Sequence, residues 1–325
     1  MTTTINGSSP SITFSDGSAQ TSATRPFQNR IINGAMVVNQ RATSVTATSY
    51  TVDRWSYNGS QTSKATVAQS STAPTGFINS LGVTSSSAYS ITSGDYFTLE
   101  QPIEGLNCTD LAWGTANAKT VTLSFQVQSS LTGTFGGVLY AGTGSYSYPF
   151  SYTISSANTW TAISVTIAGP TSGTFVTTNA TCFTVCFGLG VGTTYSGTAG
   201  SWQASVLRSV TGATSVVGTN GATFYITGVQ LEVGSTATSF DYRPYGTELQ
   251  LCYRYYINTS SATKTTMVAN ANYGAAQFPV QMRTAPTVTL SIGSGTASGI
   301  NTNQNGFYAQ FTNTTGADYL ASSEL

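Results

Sequence analysis

The sequence predicts an all-β protein built around a β-sandwich or jelly roll, and three observations predict it. Apolar residues recur at every second position in run after run. The runs are separated by Gly, Ser, Thr and Pro, the residues of turns. No long segment carries the three-to-four spacing of an amphipathic helix. Thr suits such strands, because its β-branch favours the extended chain.

Along the chain, residues 1–27 are polar, hold a turn at Ser15-Asp16-Gly17, and read as an extended N-terminal arm. Residues 28–246 carry most of the strands. Val121, Leu123, Phe125 and Val127 alternate with Thr122, Ser124 and Gln126, which predicts a half-buried strand with one wet face. Ile163, Val165 and Ile167 alternate with Ser164 and Thr166 in the same way. Phe183, Val185, Phe187 and Leu189 alternate with Cys182, Thr184, Cys186 and Gly188. The most aromatic run is Tyr146, Tyr148, Phe150, Tyr152 and Ile154, where Pro149 removes a ladder donor and favours an edge strand or a bulge. Phe224 and Ile226 have one parity and Val229, Leu231 and Val233 the other, so one extra residue is inserted and Gly228 is the natural bulge.

Arg243-Pro244-Tyr245-Gly246 stops a strand and marks a boundary. Residues 247–325 then form a smaller C-terminal β domain. Its start, Glu248 to Tyr256, fits a helical stripe through Leu249, Cys252 or Tyr253, and Tyr256, and fits a strand as well. Phe278, Val280 and Met282, then Val288, Leu290 and Ile292, alternate again. No repeat of fixed length marks a solenoid.

A chain of 325 residues is long enough for two domains, and at this size folding buries roughly three-quarters of the unfolded surface without help from disulfides or metals. Charged residues are only 7%, eleven basic and eleven acidic. With no basic excess to neutralise phosphates, nucleic acid is not an expected partner. No apolar run approaches the roughly 18 residues of a membrane span, and no basic amphipathic stretch suggests a membrane surface. Histidine is absent, which excludes Ser-His-Asp and Cys-His triads and His-ligated metals. The N-terminus lacks the basic start and apolar core of a signal peptide, so synthesis in a cytosol and reduced cysteines are expected. Cys182 and Cys186, four apart on one strand, are about 13 Å apart, too far for a disulfide or a shared zinc. Cys108 and Cys252 have no sequence neighbours, and all four read as free thiols.

Several segments resemble a known group. Val229-Gln230-Leu231-Glu232-Val233-Gly234, followed by Ala237-Thr238-Ser239-Phe240-Asp241-Tyr242-Arg243-Pro244, resembles a stretch that closes a jelly roll in bacteriophage tail-fibre and related virion proteins, a jelly roll similar to carbohydrate-binding modules. Asn29 to Met36 with Asn39-Gln40-Arg41 resembles the opening of that domain, Asp53-Arg54-Trp55 its "DRW", and Gln101 to Gly105 its "Q.IEG". Phe278 to Pro286 resembles the family's C-terminal domain, and Ile12 to Thr21 its fibre arms. The segment from about 110 to 220 carries no such motif. The resemblance implies a non-catalytic structural protein of a phage particle, located in the virion after assembly in the host cytoplasm. The arm would attach to other virion proteins or initiate assembly, the chain would form a homotrimer, and the activity would be adhesion to a host-surface glycan. Two rival readings are an architectural part without ligand, such as a tail adaptor or a capsid-attached decoration, and a tailspike that depolymerises polysaccharide. No cofactor or metal is expected.

Aromatic faces stack on sugar rings while Tyr hydroxyls bond their edges, so the candidate ligand-binding residues are Tyr146, Tyr148, Trp160 and Trp202. The tyrosine stripe also fits a sandwich core. Asp53-Arg54-Trp55 reads as a core Trp beside a charge pair, and Arg243 as a cap paired with a carboxylate. Asp95, Glu100, Glu104 and Asp110 form the one acid-rich stretch, which offers a catalytic pair or Ca²⁺ ligands and reads more simply as solvated loop acids plus Glu104 in a turn.

Overall fold

The computed structural model describes residues 27–41, 44–259, 273–292, 295–312 and 317–325, together with three short strands near the N-terminus. Those strands, β1 (Thr4–Asn6), β2 (Ser11–Thr13) and β3 (Ala19–Gln20), pair as an antiparallel meander. The turn expected at Ser15-Asp16-Gly17 lies outside the described residues.

The central body contains β4 (Ser49–Tyr50), β5 (Ser56–Gly59), β6 (Ala65–Ser70), β7 (Ser80–Ser85), β8 (Tyr96–Glu104), β9 (Val121–Ser129), β10 (Gly133–Ala141), β11 (Ser147–Ile154), β12 (Thr161–Ile167), β13 (Thr181–Val191), β14 (Ser196–Gly197), β15 (Ser209–Val210) and β16 (Thr223–Val233). One sheet has the order β12-β9-β16-β7-β6 and the other β11-β10-β13-β8-β5-β4. The eight strands from β7 to β13 plus β16 cross between the sheets at every connection except the β10–β11 hairpin. That is a jelly roll, two sheets whose inner faces share one core. Its largest fully buried rings are Trp55, Tyr57, Phe97, Phe135, Phe150, Phe183, Phe187 and Phe224.

Local chemistry explains the irregular points. β11 is an edge strand, and Pro149 lies in it where no continuous partner strand needs its missing N–H. The register between β16 and β9 slips by one residue between Thr227 and Gln230, and Gly228 sits there at φ 61°. A Cβ on Gly228 would lie 2.6 Å from the Phe77 ring, so both the backbone angle and the ring demand glycine.

The alternation in β13 does not leave a wet face. Thr184, Cys186 and Gly188 are buried along with Phe183, Val185 and Phe187. The cause is the strap formed by residues 192–217, which crosses the outer face of β10 and β13. Cβ atoms on Gly136 and Gly188 would meet the Ser209 side chain at 2.6 and 2.7 Å, so the strap lies directly on their backbones.

After the jelly roll the chain forms helix α1 (Tyr245–Tyr253), resolving the ambiguity of that segment in favour of helix, with Pro244 at its start. Then come β17 (Tyr256–Asn258), β18 (Tyr273–Gln277), β19 (Thr287–Ile292), β20 (Thr296–Asn303), β21 (Gly306–Thr312) and β22 (Ala317–Ser322), in two sheets ordered β17-β22-β19 and β18-β21-β20. They enclose a separate small core that includes Phe278, Met282, Phe307, Phe311 and Tyr319.

The scarce charges tie these parts together. Arg54, 1% exposed at its side chain, pairs with Glu324 and stacks over Tyr255 at 3.6 Å. Arg41 pairs with the same carboxylate at 2.6 Å and stacks over Tyr256. Arg254 pairs with Glu104 at 2.5 Å, and Arg283 donates to the carbonyls of Asn179, Ser323 and Glu324. Arg243 lies against Asp241 and Glu248.

Candidate functional site

The segments that carry the family resemblance bind one another. Asn29 accepts from Leu231 N–H at 3.0 Å and donates to the Val229 carbonyl at 3.0 Å. Gln101 brackets Ile32, accepting from its N–H and donating to its carbonyl, each at 2.8 Å. Glu232 accepts from the Thr238 N–H and hydroxyl and holds the turn after β16. Trp55 is fully buried and donates to the Asn33 carbonyl at 3.2 Å. These motifs build the frame of the jelly roll: Trp55 is a core residue as expected and Arg243 pairs with Glu248, while Arg54 pairs with Glu324 rather than with Asp53, which accepts from Gln40.

The four carboxylates of the acid-rich stretch do not form a cluster, and three of them are not solvated, which corrects the loop reading. Asp95, Glu100 and Glu104 are buried on or beside β8 and only Asp110 is open. Burial alone would raise the Asp95 pKa, but hydrogen bonds from Thr92, Ser60 and Tyr89 outweigh it and bring it down to about 2. Glu104 faces Arg254 and Tyr255, and Asp110 faces Arg30. No grouping of three or more metal-ligating side chains occurs among the described residues.

Of the aromatic candidates, the structure brings together Tyr146, Tyr148 and Trp202. Trp202 stacks on Tyr146 with ring centroids 5.3 Å apart and planes 11° apart, and meets Tyr148 edge-on at 5.5 Å. Trp113 and Phe175 close the cluster at 5.6 and 5.8 Å from Trp202. Trp202 donates to the Ala168 carbonyl at 2.8 Å, and the Tyr146 hydroxyl meets Ser172 at 3.0 Å. Tyr148 is buried at 8% exposure, while Tyr146 and Trp202 are half-buried. The stack covers one face of each of these two rings, and the cluster staples the segments that carry Tyr146, Phe175 and Trp202 together. Trp160 stands apart, half-buried immediately ahead of β12.

A more open feature lies where the strap ends. Beyond it, the outer face of the six-stranded sheet holds a groove of about 460 Å³, lined among others by Tyr50, Asn58, Glu100, Tyr140, Thr181 and Thr184. These residues come from β4, β5, β8, β10 and β13, so rigid strands position the floor. Glu100 is its centre. It accepts from Asn58 at 2.8 Å, the Tyr140 hydroxyl at 2.8 Å, Thr98 at 2.7 Å and Arg208 at 2.5 Å. Burial pushes the Tyr50 hydroxyl up to about 12 and raises that of Tyr140, aided there by the Glu100 charge, so both phenols stay protonated; Tyr50 donates to the Leu325 carbonyl and Tyr140 to Glu100. Sequence reasoning missed this groove because Asn58 is one polar residue among many, and Tyr140 lies in a Gly-rich run. The one available signal was Glu100, a carboxylate between strand residues.

No protein-family model and no curated protein sequence matches the chain. Similar solved structures include the enzymatically active domain of tailspike protein 4 of bacteriophage CBA120, with a TM-score of 0.34 and 12% identity over 65% of this chain and 22% of that one. The chain therefore spans about a fifth of that tailspike's length. TmCBM61 in complex with β-1,4-galactotriose has a TM-score of 0.33 and 10% identity, over 65% of this chain and all of that one. The family 11 carbohydrate-binding module from Clostridium thermocellum, in complex with a mixed-linked tetrasaccharide, has a TM-score of 0.31 and 12% identity, over 57% and 92%.

Proposed function

We propose that the chain is a non-catalytic adhesion protein of a bacteriophage particle, most simply a tail fibre, and that it holds a surface glycan in the groove on the six-stranded sheet. The observation that carries the binding reading is the floor of that groove. A carboxylate, an amide and a phenol are locked together by strands, flanked by the hydroxyls of Thr181 and Thr184. Such an array matches the dense hydroxyls of a sugar, and a floor fixed in advance loses little entropy on binding. Glu100 is the one acidic side chain in the lining, whereas glycoside hydrolysis uses two, which favours binding over cleavage. The virion role rests on the sequence motifs, and so does the homotrimer.

A glycan array of host-surface polysaccharides and neutral oligosaccharides, followed by titration of the best ligand, tests the binding reading. Asn58→Ala and Tyr140→Phe should each weaken that ligand by about tenfold, a loss of 1.4 kcal/mol. Unchanged affinity in both variants, or no glycan bound at all, would overturn it. Light scattering of the full chain and of a chain beginning at Arg25 tests the fibre reading: a trimer lost on truncation supports it, and a stable monomer of the full chain sinks it.

A further inference from the structure

The opposite sheet carries a second groove, of about 370 Å³, on the far side of the jelly roll. Its floor is the outer face of β12 and β9. In the register of these strands Ser164 lies opposite Ser124 and Ala162 opposite Gln126, and Thr227 of β16 continues the row beyond Gln126. Its wall is aromatic. Phe77 and Phe240, from loops 163 positions apart in sequence, meet at 5.2 Å, and Tyr242 closes a triad with them at 5.5 and 5.0 Å. Phe77 is seated on the bulge at Gly228, so the one-residue insertion in β16 makes the place for the ring. Because β12 is the sheet's edge strand, the groove opens sideways to solvent.

Two features separate this groove from packing. The side chains of Ser124, Gln126 and Ser164 make no hydrogen bond to any described residue, in contrast to the interlocked floor around Glu100. A row of solvent-facing amide and hydroxyl groups not tied up by the fold, next to half-buried aromatic rings, offers hydrogen bonds and an apolar face to a ligand that is both hydroxyl-rich and apolar-faced. The lining contains no charged side chain, so the ligand it fits is uncharged. A sialic or uronic acid would find no cation in the lining to pair with its carboxylate.

We infer that this groove is a second carbohydrate site, for a neutral hexose oligosaccharide, with Phe77 and Phe240 contacting the sugar face and Gln126, Ser124 and Ser164 its hydroxyls. It does not depend on the Glu100 groove. Each chain then presents glycan sites on both faces of the sandwich.

Cellotetraose and maltotetraose are the probes, neutral hexose chains of both anomeric linkages. Calorimetric titration gives the number of sites, and hydrogen exchange in saturating probe locates them. Ser164→Trp, at an exposed edge-strand position, fills this groove, and Ser49→Trp fills the other. For at least one probe, protection over 121–129 and 161–167 is expected in the wild type and in Ser49→Trp. Ser164→Trp should abolish that protection and remove one site, or weaken the tighter probe by about tenfold or more. Loss in Ser164→Trp alone supports this inference while the Glu100 groove fails. Loss in Ser49→Trp alone, or binding of neither probe, overturns it.

Discussion

Replacing Glu324 with Ala removes the carboxylate that Arg54 and Arg41 share. Arg54 is 1% exposed at its side chain and Glu324 7%. Burial lowers the Arg54 pKa and the Glu324 charge raises it; with that charge gone, the guanidinium still stays charged because its ordinary pKa lies so far above neutrality. It keeps the Pro102 carbonyl at 2.6 Å and the Tyr255 ring, which offset part of the loss. Breaking a buried pair by removing one member costs about 3–5 kcal/mol. In a unit of about 150–250 residues each kcal/mol moves Tm by about 2–4 °C, so Glu324→Ala should lower Tm by about 6–20 °C. Differential scanning calorimetry reads this directly. Glu324→Gln, which keeps the shape and loses the charge, should fall between. The double variant Arg54→Met with Glu324→Leu should recover much of the loss, because the stranded charge is gone. A Tm within about 2 °C of wild type for Glu324→Ala would show that the pair is not sequestered from water and would refute the reasoning.

Asp53 and the thiols give further tests. Burial pushes Asp53 up to about 6 against its hydrogen bonds from Gln40. A raised carboxyl contributes stability that is fully present below its unfolded pKa of about 4 and is lost as pH rises through about 6. Urea midpoints measured from pH 4 to 7 should show this loss in the wild type and a smaller one in Asp53→Asn. Cys108, Cys182, Cys186 and Cys252 are buried, and burial raises the pKa of Cys186 and Cys252. Ellman's reagent should find almost no reactive thiol at neutral pH in the native chain and four after unfolding in guanidinium.

Much of the sandwich was legible because period two is a direct imprint of the pleat. Pro149 marked an edge, and Gly228 a bulge, because each breaks a rule that only those positions tolerate. Where the reading missed, a second layer was responsible. Thr184 and Cys186 look like a wet face and are not, because the strap of residues 192–217 covers them, and nothing near residue 184 announces residue 209. The same holds for sites. Tyr146 and Tyr148 stood out as a stripe, and the fold sets them beside Trp202, Trp113 and Phe175, neighbours that the local pattern does not name. Phe77 passed unnoticed as a lone aromatic in a loop, Phe240 entered only as a letter of the family motif, and only the fold brings them to 5.2 Å. Glu100 stood out as a carboxylate, but its neighbours Asn58 and Tyr140 come from strands that local pattern cannot pair.

The internal use of charge has a kinetic consequence. Arg30, Arg41, Arg54, Arg208, Arg243 and Arg254 each face a carboxylate of the same chain, and the net charge is zero. Little field is left to reach into solvent. Encounters with any partner are therefore unsteered, at the order of 10⁵–10⁶ M⁻¹ s⁻¹ typical of neutral docking. Such rates hardly change with ionic strength. A protein that meets a partner equally fast in dilute water and in brine has to gain its residence time from close-range contacts, not from attraction at a distance.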